Sequence, residues 1–397
     1  MNKQTLRDLN LDNKKVIVRV DFNVPMDDEL EISDETRIAT AMPTIKFLLG
    51  KNAKIILMSH LGRPKGKANS RLSLKPIANR LSQILDRPVI FADDHRVVSE
   101  KVKSLVEDMK AQDIILLENT RFRWEEEKNE EGFAKELASL GEIYVNDAFG
   151  TSHRAHASNV GISKYLPSAL GFLVEKEISI IGGALEEANR PFLAVLGGAK
   201  VSDKIGVIEN LIDKVDIIVV GGAMAFTFLK AQGYEIGKSM VEEDKLELAR
   251  NLIKKAEENN VSLLLPKDVV VAKEFKNDTE FKTVEINNIP KDMMGLDIGD
   301  KSMEEFSRAI LKARTVIWNG PMGVFEMDNF NKGTLAIAKA MAESTGTTIV
   351  GGGDSGSAIE KSGLSENITH ISTGGGASLE MLEGKVLPGI QAIDEMK

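Results

Sequence analysis

The sequence predicts an α/β protein made of two doubly wound parallel-sheet domains joined by a hinge helix. Three observations carry this expectation. The chain has 397 residues, too many for one ordinary hydrophobic core. Short β-branched apolar runs alternate along it with amphipathic stretches of helix length, the rhythm of βαβ units. The runs are nearly continuous in apolar character, as strands buried on both faces of a parallel sheet are.

The first half supplies runs at 15–20 (KVIVRV), 54–58 (KIILM), 89–91, 114–117 (IILL) and 142–145 (EIYV). The second half supplies 192–196 (FLAVL), 216–220 (DIIVV), 262–265, 315–318 (TVIW), 347–350 and 368–371. Eleven such strands exceed what one open sheet usually holds, so they are divided between two sheets. The divider is 169–189 (ALGFLVEKEISIIGGALEEAN), expected to form one long helix interrupted at Gly182-Gly183 and closed by Asn189-Arg190-Pro191. A helical connector with a glycine pair suits a hinge, and it equally suits an ordinary buried helix.

Composition narrows the function. A net charge of −9 argues against nonspecific binding to nucleic acid or anionic membranes, yet leaves room for arginines gathered around a small anion. With zero cysteines there are no disulfides, thiolate metal sites or cysteine nucleophiles. The opening MNKQTLRDLN has no apolar leader, and no run approaches membrane-spanning length, so the cytoplasm is the expected compartment.

In the first half, polar loops follow the strands, where ligands of open α/β sheets sit. They are Asp21-Phe22-Asn23 after the first strand, His60 to Gly66 with Arg63 after the second, Glu118 to Arg123 with Arg121 after 114–117, and Asn146 to His156 with Arg154 after the fifth run. Arg37 opens the next helical stretch after the first strand. Guanidinium forks match carboxylate and phosphate oxygens bidentately, so Arg37, Arg63, Arg121 and Arg154 on one sheet edge imply a small polyanion. His60, His153 and His156 also fall in these loops; a metal site there lacks a neighbouring carboxylate pattern.

In the second half, strands run into glycines. Gly197-Gly198 leads to Lys200 and Lys204, read as sharing one helix face. Gly221-Gly222 and Asn319-Gly320-Pro321 repeat the pattern, and 347–363 (TTIVGGGDSGSAIEKSG) places three glycines before a helix start at Asp354-Ser355. A strand, a glycine turn and a helix N-terminus make an anion site of exposed N–H groups, with Asp354 a possible metal ligand beside it. Gly351, Gly353 and Gly356 also spell G-x-G-x-x-G, but the acid that a dinucleotide ribose needs at the end of the next strand is missing. No P-loop and no protein-kinase motif set occurs.

Eight motifs in order resemble the phosphoglycerate kinase family from end to end. They are DFNVP at 21–25, HLGRPKG at 60–66, LLENTRF at 116–122, VNDAFGTSHRAHAS at 145–158, GGAKVSDKI at 197–205, WNGPMGVFE at 318–326, GGGDS at 351–355 and STGGGASLE at 372–380. Departures are slight: Arg123-Trp124 and His95 stand where the family usually has other residues. The resemblance implies two Rossmann-like domains, 1–170 binding 3-phosphoglycerate and 171–384 binding nucleotide, with 385–397 returning to the first. It implies reversible phosphoryl transfer between 1,3-bisphosphoglycerate with ADP and 3-phosphoglycerate with ATP, dependent on Mg²⁺, in a monomer that closes around its hinge. Asp21, Asn23, Arg37, His60, Arg63, Arg121 and Arg154 are then expected to hold the glycerate. Lys200, Gly222, Gly295, Glu326, Gly352, Gly353, Asp354 and Ser355 would hold the nucleotide, with Asp354 on the metal. Arg37, Lys200, Lys204 and Gly376 would act on the moving phosphoryl group. Two other classes remain open: a dinucleotide-dependent oxidoreductase, disfavoured by the missing ribose acid, and an inactive homologue serving as a binding protein, disfavoured because every charged catalytic position is present.

Overall fold

The computed structural model describes residues 2–396, so Met1 and Lys397, the outer ends of the expected domain ranges, lie outside the described residues. Its contacts divide the chain into two compact units, Met1–Ser179 with Val386–Lys397, and Ile180–Lys385. Each is built on a six-stranded, all-parallel sheet.

The first sheet comprises β1 (Lys15–Val20), β2 (Lys54–Met58), β3 (Val89–Ala92), β4 (Ile114–Leu117), β5 (Ile143–Asp147) and β6 (Ser168–Leu170), in the order β3-β4-β2-β1-β5-β6. β1 is central, with Val18 opposite both Leu57 of β2 and Val145 of β5. Its residues from Val16 to Val20 are all buried, because helices cover both faces. One of these helices, Thr36–Gly50, packs on Phe172–Glu177, where the Phe47 and Phe172 rings meet edge to face at 5.0 Å. The chain's last segment also belongs to this unit. Fully buried Asn146 donates to Gly389 O at 2.8 Å, and the Gly389 N–H donates to Ser152 O at 2.8 Å.

The second large sheet comprises β7 (Phe192–Leu196), β8 (Ile217–Val220), β9 (Ser262–Leu264), β13 (Thr315–Asn319), β14 (Thr347–Gly351) and β15 (His370–Ile371), in the order β15-β14-β13-β7-β8-β9. Its core gathers Leu193, Val195, Phe306, Ile310, Ile337 and Trp318, whose indole N–H donates to Gly320 O at 2.8 Å. Beside it lies a three-stranded antiparallel sheet of β10 (Asp268–Ala272), β11 (Phe281–Glu285) and β12 (Met294–Ile298), ordered β11-β10-β12.

The structure departs from the sequence expectation in several places. The antiparallel sheet was not expected, because β11 (FKTVE) is largely exposed and lacks a strong apolar pattern. The expected strands at 262–265 and 368–371 shorten to Ser262–Leu264 and His370–Ile371. The expected helix at 169–189 instead begins as β6, since the Leu170 N–H donates to Gln4 O (2.8 Å) and the Gly171 N–H to Asn146 O (2.9 Å). Helix follows at Phe172–Glu177, passes through a π-helical turn at Ile178–Gly182 and ends at Gly183–Glu186, so the glycine pair does not break it.

That helix starts on a buried carboxyl group. Asp147 Oδ1 accepts the Leu173 N–H at 2.9 Å, and burial pushes its pKa up to about 7 against the hydrogen bonds from Thr44, Leu173 and Val174. A folded-state pKa above the unfolded one means stability that is complete at acid pH and lost as pH rises through about 7. Asp147→Asn removes this titration while keeping the accepting oxygen. Thermal melts from pH 5 to pH 8 are therefore expected to show the variant gaining on the parent by up to about 1.4 kcal/mol per pH unit. A difference that stays flat across that range would contradict the assignment.

Candidate functional site

In the first unit the C-terminal ends of β1, β2, β4 and β5 carry a cationic face. Asp21 follows β1 and pairs with Arg37 Nη1 from the first turn of the helix Thr36–Gly50. Asn23 Oδ1 accepts the Gly62 N–H at 2.8 Å. Asn119 fastens the loops after β2 and β4 together: its Oδ1 accepts from the Leu61 (3.3 Å) and Arg121 (3.0 Å) N–H groups, and its Nδ2 donates to Leu61 O (2.7 Å). This places His60 and Arg121, both buried, side by side in the fold. Arg121 donates to Gly62 O at 2.9 Å, while its Nε is buried without a hydrogen-bond partner, 3.4 Å from Glu127 Oε1. Arg154 is half-buried and donates to His153 Nε2 at 3.1 Å, and Arg63 is exposed.

Charge on this face is lopsided. Burial, then Arg19, holds Arg121 below its ordinary value. Burial, then Arg19, Arg121 and Arg37, pushes His60 well below the usual imidazole range. Burial, then Arg19, Arg121 and Arg154, brings His156 down to about 3. Both imidazoles are therefore neutral at pH 7, and His60 engages Arg19 through its Nδ1. Beneath guanidiniums they are poorly placed to bind a cation, and no cluster of three metal-ligating side chains occurs among the described residues. The face suits a small, multiply charged anion.

In the second unit two adjoining cavities, of about 520 and about 610 Å³, share Gly198, Ala199, Pro321 and Asp354 in their walls. The first is mostly apolar: Phe226, Val269, Leu296, Met322 and Val324 line it with Gly222 and Gly295, and Lys238, Asp297 and Glu326 are among its polar walls. The second is polar, lined by Lys200, Asp203, Lys204, Asn319, Gly352, Gly353, Ser355, Gly375 and Gly376. It contains the N-terminus of the helix Gly353–Lys361, entered through Gly352 at φ 89°. Ser355 is buried and its Oγ accepts the Gly320 N–H at 2.7 Å, tying the loops after β13 and β14 together. Lys204 Nζ donates to Asn319 Oδ1; burial holds its pKa below the ordinary value, opposed by Asp203, Asp354 and Glu383.

The structure thus brings Asp21, Asn23, Arg37, His60, Arg121 and Arg154 to one sheet edge of the first unit. It brings Gly222, Gly295, Glu326 and Asp354 to the apolar cavity of the second, and Lys200, Lys204, Gly352 to Ser355 and Gly376 to the polar one. Lys200 and Lys204 do not share a helix face. The residues between them form turns and the helix starts at Ile205, leaving Lys200 exposed and Lys204 half-buried. Sequence reasoning missed Arg19, Glu126 and Phe226, and named Asn319 in its loop without a role of its own. Arg19 could have been found as the charge set among the apolar residues of KVIVRV, away from Lys15 at its start.

Comparison with known proteins identifies the family. The family model for phosphoglycerate kinase matches residues 6–385. Phosphoglycerate kinase of Finegoldia magna is 58% identical over 395 residues, covering 100% of both chains. That of Clostridium botulinum (strain Alaska E43 / Type E3) is 58% identical over 395 residues and 99% of each. Among solved structures, phosphoglycerate kinase from Coxiella burnetii superposes with a TM-score of 0.90 at 42% identity, and that from Pyrococcus horikoshii with 0.81 at 32%, each covering 98% of both chains. The chain belongs to the phosphoglycerate kinase family and is a phosphotransferase with a carboxyl group as acceptor.

The backbone packing at Gly222 is directly testable. At φ +67° a Cβ there would lie 2.5 Å from Gly198 O and 2.9 Å from Pro321 O, whereas Gly233, at φ +95°, has open space around it. Gly222→Ala is expected to cost at least about 2 kcal/mol more than Gly233→Ala in urea unfolding. Equal losses would show that the clash is relieved without strain.

Proposed function

We propose that this phosphotransferase moves a phosphoryl group reversibly between 1,3-bisphosphoglycerate with ADP and 3-phosphoglycerate with ATP. What supports the reading most is the kind of groups assembled: guanidiniums on one unit, and lysine with glycine N–H groups on the other. An acceptor carboxylate is already ionised at pH 7 and needs no general base. Phosphoryl transfer then rests on positioning and charge stabilisation.

In this scheme Asp21, Asn23, Arg37, His60, Arg63, Arg121 and Arg154 hold the glycerate and its phosphate. The apolar cavity takes the base and ribose against Gly222, Gly295 and Glu326. The polar cavity takes the phosphate chain on Lys200, the N–H groups of Gly352 and Gly353, and Ser355, with Lys204 and Gly376 at the transferred group. Asp354 fits a Mg²⁺ ion, because it lines both cavities and Mg²⁺ takes one or two carboxylates, phosphate oxygens and water. When bound there with nucleotide, the ion would neutralise phosphate charge. Arg37 offers a guanidinium that can release Asp21 and follow charge onto the transferred phosphoryl group. Since acceptor and donor groups belong to different units, turnover requires them to close and exclude water.

We further assign the enzyme to the cytoplasm as a monomer acting on small phosphorylated substrates, without nucleic acid or membrane as partner. No helix among the described residues is long and apolar enough to cross a membrane. Replacement of Arg37 or Lys204 by alanine is expected to lower kcat by roughly a hundredfold or more, with KM changed far less, as for groups engaged in the transition state. Steady-state kinetics in both directions measure this, and an unchanged kcat would remove that residue from the mechanism.

A further inference from the structure

The first unit contains a buried polar chain that the scheme above does not use. Arg19, in the middle of β1, is 1% exposed, and Glu126, in the short helix Trp124–Glu127, is 0% exposed. Ser158 stands between them. The Arg19 Nε–H donates to Ser158 Oγ at 2.8 Å, and Ser158 Oγ donates to Glu126 Oε1. Glu126 Oε2 accepts the Ser158 N–H at 3.0 Å, and Thr120 Oγ1 donates to Oε1 at 3.3 Å. Three donors converge on Glu126, the pattern of an ionised carboxylate. At the other end Arg19 Nη1 donates to Val20 O, and Nη2 contacts His60 Nδ1 at 3.1 Å.

This last contact has only one chemical sense. A guanidinium has no acceptor, so Nδ1 of His60 must be the acceptor and carry no proton. In a neutral ring the proton then resides on Nε2. The orientation of Arg19 is fixed on its other edge by Ser158, and Ser158 by Glu126. Burial raises the Glu126 pKa and Arg19 is the leading charge opposing that rise; for His60, burial and then Arg19 act together against protonation.

We propose that Glu126 and Ser158 are positioning residues which, through Arg19, lock His60 as the neutral Nε2–H tautomer and so aim a hydrogen-bond donor at the anionic substrate. Neither touches the substrate. The arrangement adds a donor to the face without adding a cation, and the counter-charge for buried Arg19 lies on the far side of the serine. The role assigned to His60 rests on the function proposed above; the tautomer does not.

The test is a long-range ¹H–¹⁵N correlation spectrum of the full-length enzyme labelled with [¹⁵N]histidine, with His60 assigned by the signals lost in His60→Asn. The wild type is expected to show the Nε2–H tautomer alone. Ser158→Ala is expected to give a mixture of tautomers and to raise KM for 3-phosphoglycerate about tenfold, the scale of one lost charge-assisted hydrogen bond, while KM for ATP is unchanged. Ser158→Thr, which keeps the hydroxyl, is expected to restore both. An Nδ1–H tautomer in the wild type overturns the proposal whatever the variants do. So does a single Nε2–H tautomer persisting in Ser158→Ala, even with a raised KM, since the residue would then be structural only. Should Ser158→Ala fail to fold, Glu126→Gln is judged by the same two readouts. If the wild type does not turn over 3-phosphoglycerate, the proposed function fails, and the spectra still decide the relay.

Discussion

The structure depends on one constraint: strands that run parallel must all end on the same edge. In each unit the backbone ladder is satisfied within a six-stranded sheet, and the chain leaves every strand at that edge with polar groups still to be placed. The first unit fills the edge with side chains, and Asn119 holds two of its loops in register by hydrogen bonds to the Leu61 N–H, Leu61 O and Leu72 O. The second fills it with backbone, so that at Gly222 the main chain of Gly198 and Pro321 approaches too closely to leave space for a Cβ.

The two solutions suit different anions. A buried guanidinium such as Arg121, whose Nε has Glu127 at 3.4 Å but no hydrogen-bond partner, is costly to hold, and an incoming phosphate relieves that cost. Keeping His60 and His156 neutral prevents the face from accumulating more charge than one small substrate can balance. Glycine N–H groups carry only partial charges, and a helix N-terminus adds another, so the polar cavity of the second unit can cradle a phosphate chain without a comparable load of buried cations. The adjoining apolar walls around Phe226 and Leu296 supply burial for an uncharged ring.

Much of this was legible in the sequence because parallel strands announce themselves as continuous apolar runs and the residues after them mark the ligand edge. Asp21, His60 and Arg121 follow strands directly, as do Gly222 and Gly352. What escaped did so for physical reasons. Arg19 hides in a strand whose other buried residues are valines and an isoleucine, and Glu126 lies within the acidic run WEEEKNEE, which reads as a solvated surface. Whether such a charge is buried depends on tertiary packing, here the serine at 158. The stretch at 169–189 has helical periodicity throughout, but its first residues are taken by the sheet edge, where Gln4 and Asn146 offer acceptors. The lysines at 200 and 204 have helical spacing without a helix, because the turn that follows Gly197-Gly198 delays the first helical residue to Ile205. The strand β11 is edge-exposed and carries too little apolar signal to be seen.

The central claim is that a carboxylate accepts the phosphoryl group. The most direct measurement incubates the enzyme with ATP, Mg²⁺ and 3-phosphoglycerate in the presence of hydroxylamine, which captures an acyl phosphate as its hydroxamate. The account predicts hydroxamate formed in step with ADP, and none when either substrate is omitted. ADP released from ATP at full rate with no hydroxamate would contradict it, since the acceptor would then be water or a hydroxyl group.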